Sequence, residues 1–201
     1  NVCLDCKLGV YSVISQIDLY SQRTRQSAES IRHYNRFLSS FLPASTSKQM
    51  GMSHMNETAL IFPNHEIVRE GVVNNANGSA VAERQFKGNS FCISLPTGLL
   101  NSTEPIPLSS AGWGLGGIIL ELTLENDSQV LYSKDGNALT DCYYELSNLS
   151  LICELLTPSV DALSSLMTQK AGSLEYNSIS SYYTSTNTTN SLINFNLGTR
   201  K

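Results

Sequence analysis

Apolar alternation and turn signals agree over the longest run in residues 108–156. That run opens on a glycine-rich break, Ala111-Gly112-Trp113-Gly114-Leu115-Gly116-Gly117, and passes into Ile118-Ile119-Leu120-Glu121-Leu122-Thr123-Leu124. The mixture of β-branched and apolar residues there predicts a strand. After the polar break Glu125-Asn126-Asp127-Ser128, residues 129–132 predict a second strand, and a loop holding Asp135-Gly136 leads to a third over 143–155. Side chains alternate across a strand, so Tyr143, Leu149, Leu151 and Cys153 share one face of this third segment, and Tyr144, Leu146, Asn148 and Ser150 the other. One face is much the more apolar, as antiparallel structure with a single buried side requires.

Earlier in the chain, residues 10–20 place Tyr11, Val13, Ile17 and Leu19 on one face and predict a half-buried strand. Over 27–42 the period changes: Ile31, Tyr34, Leu38, Phe41 and Leu42 recur at helical spacing, and Pro43 is expected to stop the helix. Residues 44–57 have no periodicity and read as an extended loop. Two strands are predicted over 66–73 and 83–95, separated by Asn74-Asn75-Ala76-Asn77-Gly78-Ser79, whose Asn-Gly pair suits a turn at positive φ. Residues 99–110, with Pro105 and Pro107, cannot donate a full ladder and form a connection. Thr157-Pro158 then opens a second helix over 157–167, with Val160, Leu163 and Met167 on one stripe. Residues 173–186 alternate again, 185–190 are a polar spacer, and 192–197 alternate like the opening of another strand.

Counting roughly seven or eight strands, two short helices in the connections and long polar loops predicts an all-β fold, an antiparallel β-sandwich, with the jelly roll as the version that tolerates such loops. An immunoglobulin-like sandwich competes, but it expects shorter loops, no helix between early strands, and a Cys and Trp spacing this chain lacks. The chain begins at Asn1 and stops directly after a strand-like segment, so it is expected to be an internal piece of a longer polypeptide.

Composition narrows the function classes. With 201 residues and 41% hydrophobic side chains the chain can fill a core, while only 15% are charged, leaving Asn, Ser and Thr to cover the surface. A net charge of −4 argues against broad electrostatic binding of nucleic acid. No apolar run approaches the roughly 20 residues needed to cross a bilayer.

The chemical candidates are few. Cys3-Leu4-Asp5-Cys6 has the spacing of half a zinc site, but Cys92, Cys142 and Cys153 are isolated and supply no second half. Five cysteines, an odd number, suit buried reduced thiols, and Cys153 is expected in the core. The glycine-rich run precedes a strand, whereas phosphate-binding loops follow a strand and open a helix, so it reads as a tight reversal beside a buried Trp113. His33, expected on the helix, and His54 and His65, in loops, have no neighbouring pattern of a catalytic triad. Gly88-Asn89-Ser90-Phe91-Cys92 lacks the last glycine of a nucleophile elbow. Glu121, Glu125 and Asp127 read as a solvated edge. Arg23, Arg25, Arg32 and Arg36, tempered by Glu29, form the one local positive region, suited to nucleic acid, an anionic membrane, a subunit contact or plain solvation. Sequons occur at Asn56, Asn77, Asn101, Asn126, Asn148 and Asn187; residues from Asn1 onward lack a secretory-signal pattern, and glycosylation is not expected. No catalytic, cofactor-binding or metal-binding residue is assigned, and the chain is not expected to be an enzyme.

Several segments together resemble the first jelly roll of a double-jelly-roll major capsid protein of the polinton-like virus, virophage and large DNA virus group. They are Tyr11-Ser12-Val13-Ile14 leading to Ser30-Ile31-Arg32-His33-Tyr34-Asn35-Arg36-Phe37, then Ile106-Pro107-Leu108 before Gly116-Gly117-Ile118-Ile119-Leu120-Glu121-Leu122-Thr123-Leu124, then Tyr143-Tyr144-Glu145-Leu146-Ser147-Asn148-Leu149-Ser150-Leu151. Ser191-Leu192-Ile193-Asn194-Phe195-Asn196-Leu197-Gly198-Thr199-Arg200 similarly resembles the first strand of the second jelly roll. The resemblance implies a first jelly roll over 1–156, an inter-domain helix and linker over 157–190, and the start of a second jelly roll over 191–201. It further implies a homotrimeric capsomer in an icosahedral virion, assembled inside the host cell and contacting neighbouring capsomers, penton and minor capsid proteins, with no specific nucleic acid and with membrane contact left open. The alternative is a cell-surface or secreted β-sandwich binding module, lectin-like, for which the sequons and Tyr182-Tyr183 are the clues.

Overall fold

Alternation in three separate segments converges on one sheet in the computed structural model, which describes residues 2–5, 8–45, 59, 61, 74–75, 86–87, 90–102, 105–108, 115–133, 139–140, 142–162, 164–165, 176–185, 187, 189, 192–193 and 195. The sheet has three antiparallel strands in the order β3 (Ser27–Arg32), β2 (Ile14–Ser21), β6 (Ile118–Leu124). The central strand sets the faces, pairing Ile17 with both Ile31 and Leu122, and Leu19 with both Glu29 and Leu120. Those side chains point to one side, while Asp18, Tyr20 and Glu121 take the other, the period-2 outcome of a pleated ladder.

Ile17, Leu19 and Ile31 are wholly buried against Tyr34, Leu38 and Leu99. Tyr34 and Leu38 lie one helical turn apart on α1 (Tyr34–Ser45), which lays that stripe across the sheet's inner face. Each such side chain contributes about 1.5–3 kcal/mol by leaving water. Smaller ladders join β1 (Val2–Leu4) to β7 (Leu131–Ser133) and β4 (Asn74–Asn75) to β5 (Phe86–Lys87), all antiparallel. The described elements are thus an antiparallel sheet and short ladders with a few short helices. Among the described residues, no helix is long and apolar enough to cross a membrane.

Several expectations are corrected. Residues 27–32 pair as β3 rather than opening a helix. The helical spacing of Ile31 with Tyr34 is real, but pairing with β2 satisfies the backbone of 27–32 and His33, at φ 52, breaks the chain before α1 begins. The helix also runs to Ser45, past Pro43. Residues 9–13 form a 3₁₀ turn, not the start of a strand, with the Ser12 hydroxyl donating to the carbonyl of Gly9 at 2.7 Å. Asp127–Val130 is a single helical turn, α2, so the strand expected over 129–132 starts at Leu131. Residues 143–155 form no strand: their alternation is strand-grade, but no ladder partner meets them among the described residues. Residues 90–95 and 192, 193 and 195 are likewise outside strands, and 176–185 contribute one parallel bridge, Ser30 to Ser180. Residues 160–162, 164 and 165 are helical, as the second helix expects, and exposed. The expected strand over 66–73, the Asn77-Gly78 turn and Trp113 lie outside the described residues.

Candidate assembly surface

The two edges of the three-stranded sheet differ, and the difference begins with one carboxylate. Glu29 sits on the inner face of β3, 2% exposed, where alternation would place an apolar residue. Its Oε1 accepts from the backbone N–H groups of Gly98 at 2.9 Å and Ile179 at 2.7 Å, and its Oε2 accepts from the Leu99 N–H at 2.9 Å. A buried charge persists only when hydrogen bonds replace its lost hydration, and three backbone donors do so here. The donors come from two separate segments. Residues 97–102 form a tight turn, in which the Leu100 N–H donates to the Thr97 hydroxyl oxygen at 3.0 Å. A Cβ at Gly98 would overlap the carbonyl oxygen of Asn177, so only glycine lets the two segments approach this closely.

Residues 176–183 continue along the outer edge of β3. The Tyr176 hydroxyl donates to the Ala28 carbonyl at 2.7 Å, and the Arg32 N–H donates to the Ser181 hydroxyl at 2.8 Å. Tyr183 packs on His33 with ring centroids 4.4 Å apart, and the Arg36 guanidinium lies 5.0 Å from the same ring. This edge is therefore covered within the chain.

At the far side of the sheet, β6 ends in a polar anchor. Glu125 Oε2 accepts from the Asn35 side-chain amide at 3.1 Å, tying the strand end to α1, and the Tyr144 hydroxyl donates to the Glu125 carbonyl. The Tyr144 N–H donates to Asp127 Oδ1 at 3.3 Å. Burial pushes the Tyr144 phenol up, and the charges of Asp127 and Glu125 add to the shift. Beyond this anchor the chain departs into solvent. Ile152 is 84% exposed and Leu155 74%, with Leu149, Leu151, Leu156 and Val160 also open. Isolated exposed leucines are ordinary, whereas a contiguous apolar run of this length is a candidate contact surface.

The sequence candidates are distributed differently from their expected grouping. Glu121 is exposed on the outer face opposite Asp18, whereas Glu125 and Asp127 are structural acceptors, so the three do not form one carboxylate site. Arg23 and Arg25 lie in the turn after β2, Arg32 at the end of β3 and Arg36 on α1; all four are exposed, but they do not share a helix face. Glu29 tempers none of them, since it points inward. His33 precedes the helix rather than riding on it. Cys153 is exposed, not core, and Cys92 is exposed as well. Cys3 lies in β1, while Cys6, His54 and His65 lie outside the described residues. Among the described residues, no three His, Cys, Asp or Glu side chains are grouped to hold a metal. Asn101, Asn126, Asn148 and Asn187 are exposed, and Asn148 adopts φ 54 in a bend rather than alternating in a strand. Of the glycine-rich break only Leu115, Gly116 and Gly117 are described: the two glycines have φ +68 and +128, and they run alongside the β2 end, where the Gln22 N–H donates to the Gly117 carbonyl at 3.0 Å and the Arg23 N–H to the Leu115 carbonyl at 3.1 Å, while the expected reversal beside Trp113 lies outside the described residues. Glu29 was the residue the sequence concealed, and its signal was a carboxylate two positions from Ile31 in a segment whose helical period dominated.

Comparison of the chain with protein-family models, with curated proteins and with solved structures gives no match.

Proposed function

We propose that the chain is a self-assembling structural subunit, of the double-jelly-roll major capsid type that its strand pattern resembles. The observation that carries this reading is the apolar run through residues 149–156, exposed on a chain whose sheet already has a buried inner face. An exposed run of this kind is suited to burial between subunits, where apolar contact supplies affinity without charge repulsion. The low charge content and neutral polar surface support the same reading, because close-packed copies must not repel one another. On this reading the described sheet is one layer of a jelly roll, the capsomer is a homotrimer, and the partners are further capsomers with penton and minor capsid proteins.

The lectin-like alternative draws support from the exposed sequons, but Tyr183, one of the two tyrosines that are its other clue, is engaged by His33 and Arg36. Light scattering coupled to size exclusion, applied to the complete polypeptide, distinguishes the two readings. A concentration-stable trimer that tiles in electron micrographs is expected; a monomer carrying glycans refutes the capsid reading.

A further inference from the structure

We infer that residues 149–156 of one copy add as a strand to the outer edge of β6 in a second copy. This inference rests on the self-assembly reading above and specifies how two copies engage. Four observations converge on it. First, the segment alternates as a strand does, with Leu149, Leu151 and Cys153 on one face, yet it has no ladder among the described residues. Second, of the sheet's two edges, β3 is covered by residues 176–183, whereas β6 pairs with β2 alone among the described residues. Third, the lengths match: at about 3.3 Å per residue the eight-residue arm extends about 26 Å and the seven-residue β6 about 23 Å. Fourth, the arm leaves from the C-terminal end of β6, where Tyr144 is held by Glu125 and Asp127, and Asn148 at φ 54 bends it just before the apolar run.

Strand addition to an open edge satisfies both sets of backbone groups at once and gives its apolar side chains a sheet to lie on. Each copy carries one donor arm and one acceptor edge, so the contact is of a kind that can run head to tail and, where the rotation between copies closes, form the ring of a cyclic trimer. The one charge in the arm, Glu154, and the one charge in β6, Glu121, are kept apart by any register that holds, since like charges directly opposite destabilise a ladder.

The test uses the complete polypeptide, with association measured by sedimentation over a concentration series and amide protection by hydrogen exchange. Leu151→Lys is expected to weaken association at least ~tenfold, because it sets a charge into an apolar contact. Leu151→Pro and Ile152→Pro are compared separately. Successive N–H groups on a strand point to opposite sides, so one of the two prolines removes a ladder donor and is expected to weaken association comparably. Amides of 149–156 and of β6 are expected to gain protection together as concentration rises. Both prolines associating as wild type while Leu151→Lys does not overturns strand addition and leaves self-assembly standing. Protection that persists in dilute monomer means the arm folds back on its own β6, and this too overturns the exchange between copies. A wild-type chain that stays monomeric at every concentration overturns the self-assembly reading and the inference with it. Circular dichroism of each variant guards against unfolding, and among the described residues the arm makes no ladder that its substitution would remove.

Discussion

Glu29→Gln removes the charge from the junction while keeping its shape. The carboxylate accepts three backbone N–H groups, two on Oε1 and one on Oε2. Glutamine has one acceptor oxygen, so its amide NH₂ must replace the other and face a backbone donor. With the oxygen turned toward Gly98 and Ile179, the Leu99 N–H is orphaned at a cost of about 1–3 kcal/mol, and the two surviving bonds lose their charge assistance, about 1 kcal/mol more. Relief of the buried charge's desolvation works the other way, but neutralisation leaves donors that cannot turn to water. The net expectation is a loss of about 3 kcal/mol, or a fall in Tm of about 6–12 °C for a chain of this size. Urea unfolding followed by circular dichroism measures it, with hydrogen exchange expected to show the Gly98, Leu99 and Ile179 amides opening first. A change under about 0.5 kcal/mol, within the noise of surface substitutions, refutes the clamp.

Further outcomes follow from the same contacts. Burial raises the Tyr34 phenol, with the charges of Tyr11 and Glu29 adding; burial also raises Tyr11, against the hydrogen bonds it makes to Ser94. Folded-state values above the unfolded one stabilise the fold fully below about pH 10, and the contribution is lost as pH climbs beyond it. Urea midpoints measured across alkaline pH should therefore fall in the wild type and flatten in Tyr34→Phe with Tyr11→Phe; equal slopes in both exclude the assignment. Gly98→Ala forces a methyl into the Asn177 carbonyl and should cost about 1–3 kcal/mol in thermal unfolding, whereas an unchanged Tm means the two segments are not in contact. Tyr144→Phe deletes the hydroxyl bond to Glu125 but keeps the N–H bond to Asp127, so a loss of about 1 kcal/mol is expected, with faster proteolysis beyond residue 144; resistance identical to wild type argues against the anchor.

How much was legible in advance depends on whether a segment's period was unopposed. Residues 118–124 alternate between a glycine break and a polar break, and they form β6 with the expected boundaries. In 27–42 two periods overlap: Tyr34 and Leu38 mark a true helical stripe, but Ile31 belongs at once to that stripe and to an alternating Glu29, Ile31 pair. Sequence spacing cannot choose between them, because Ile31 is buried either way. The exposed apolar run is half legible. The apolar content of 143–155 is plain in the sequence and predicts an inward face with Cys153 inside, whereas Tyr143, Leu149, Leu151 and Cys153 lie open. The Glu29 junction was not legible, since its donors stand 69, 70 and 150 residues away.

The amino-acid sequence by itself determined the strand over Ile118–Leu124, the antiparallel character of the sheet and the helical stripe of Tyr34 and Leu38. Tertiary structure alone decided that 27–32 would be a strand, that a glutamate would be buried in it, and that 143–155 would stand without a ladder among the described residues. The reason is physical: periodicity reports only which side of a segment is apolar, whereas a strand exists only once a partner supplies its hydrogen bonds. Those partners lie about a hundred residues away for β2 with β6, beyond any local pattern.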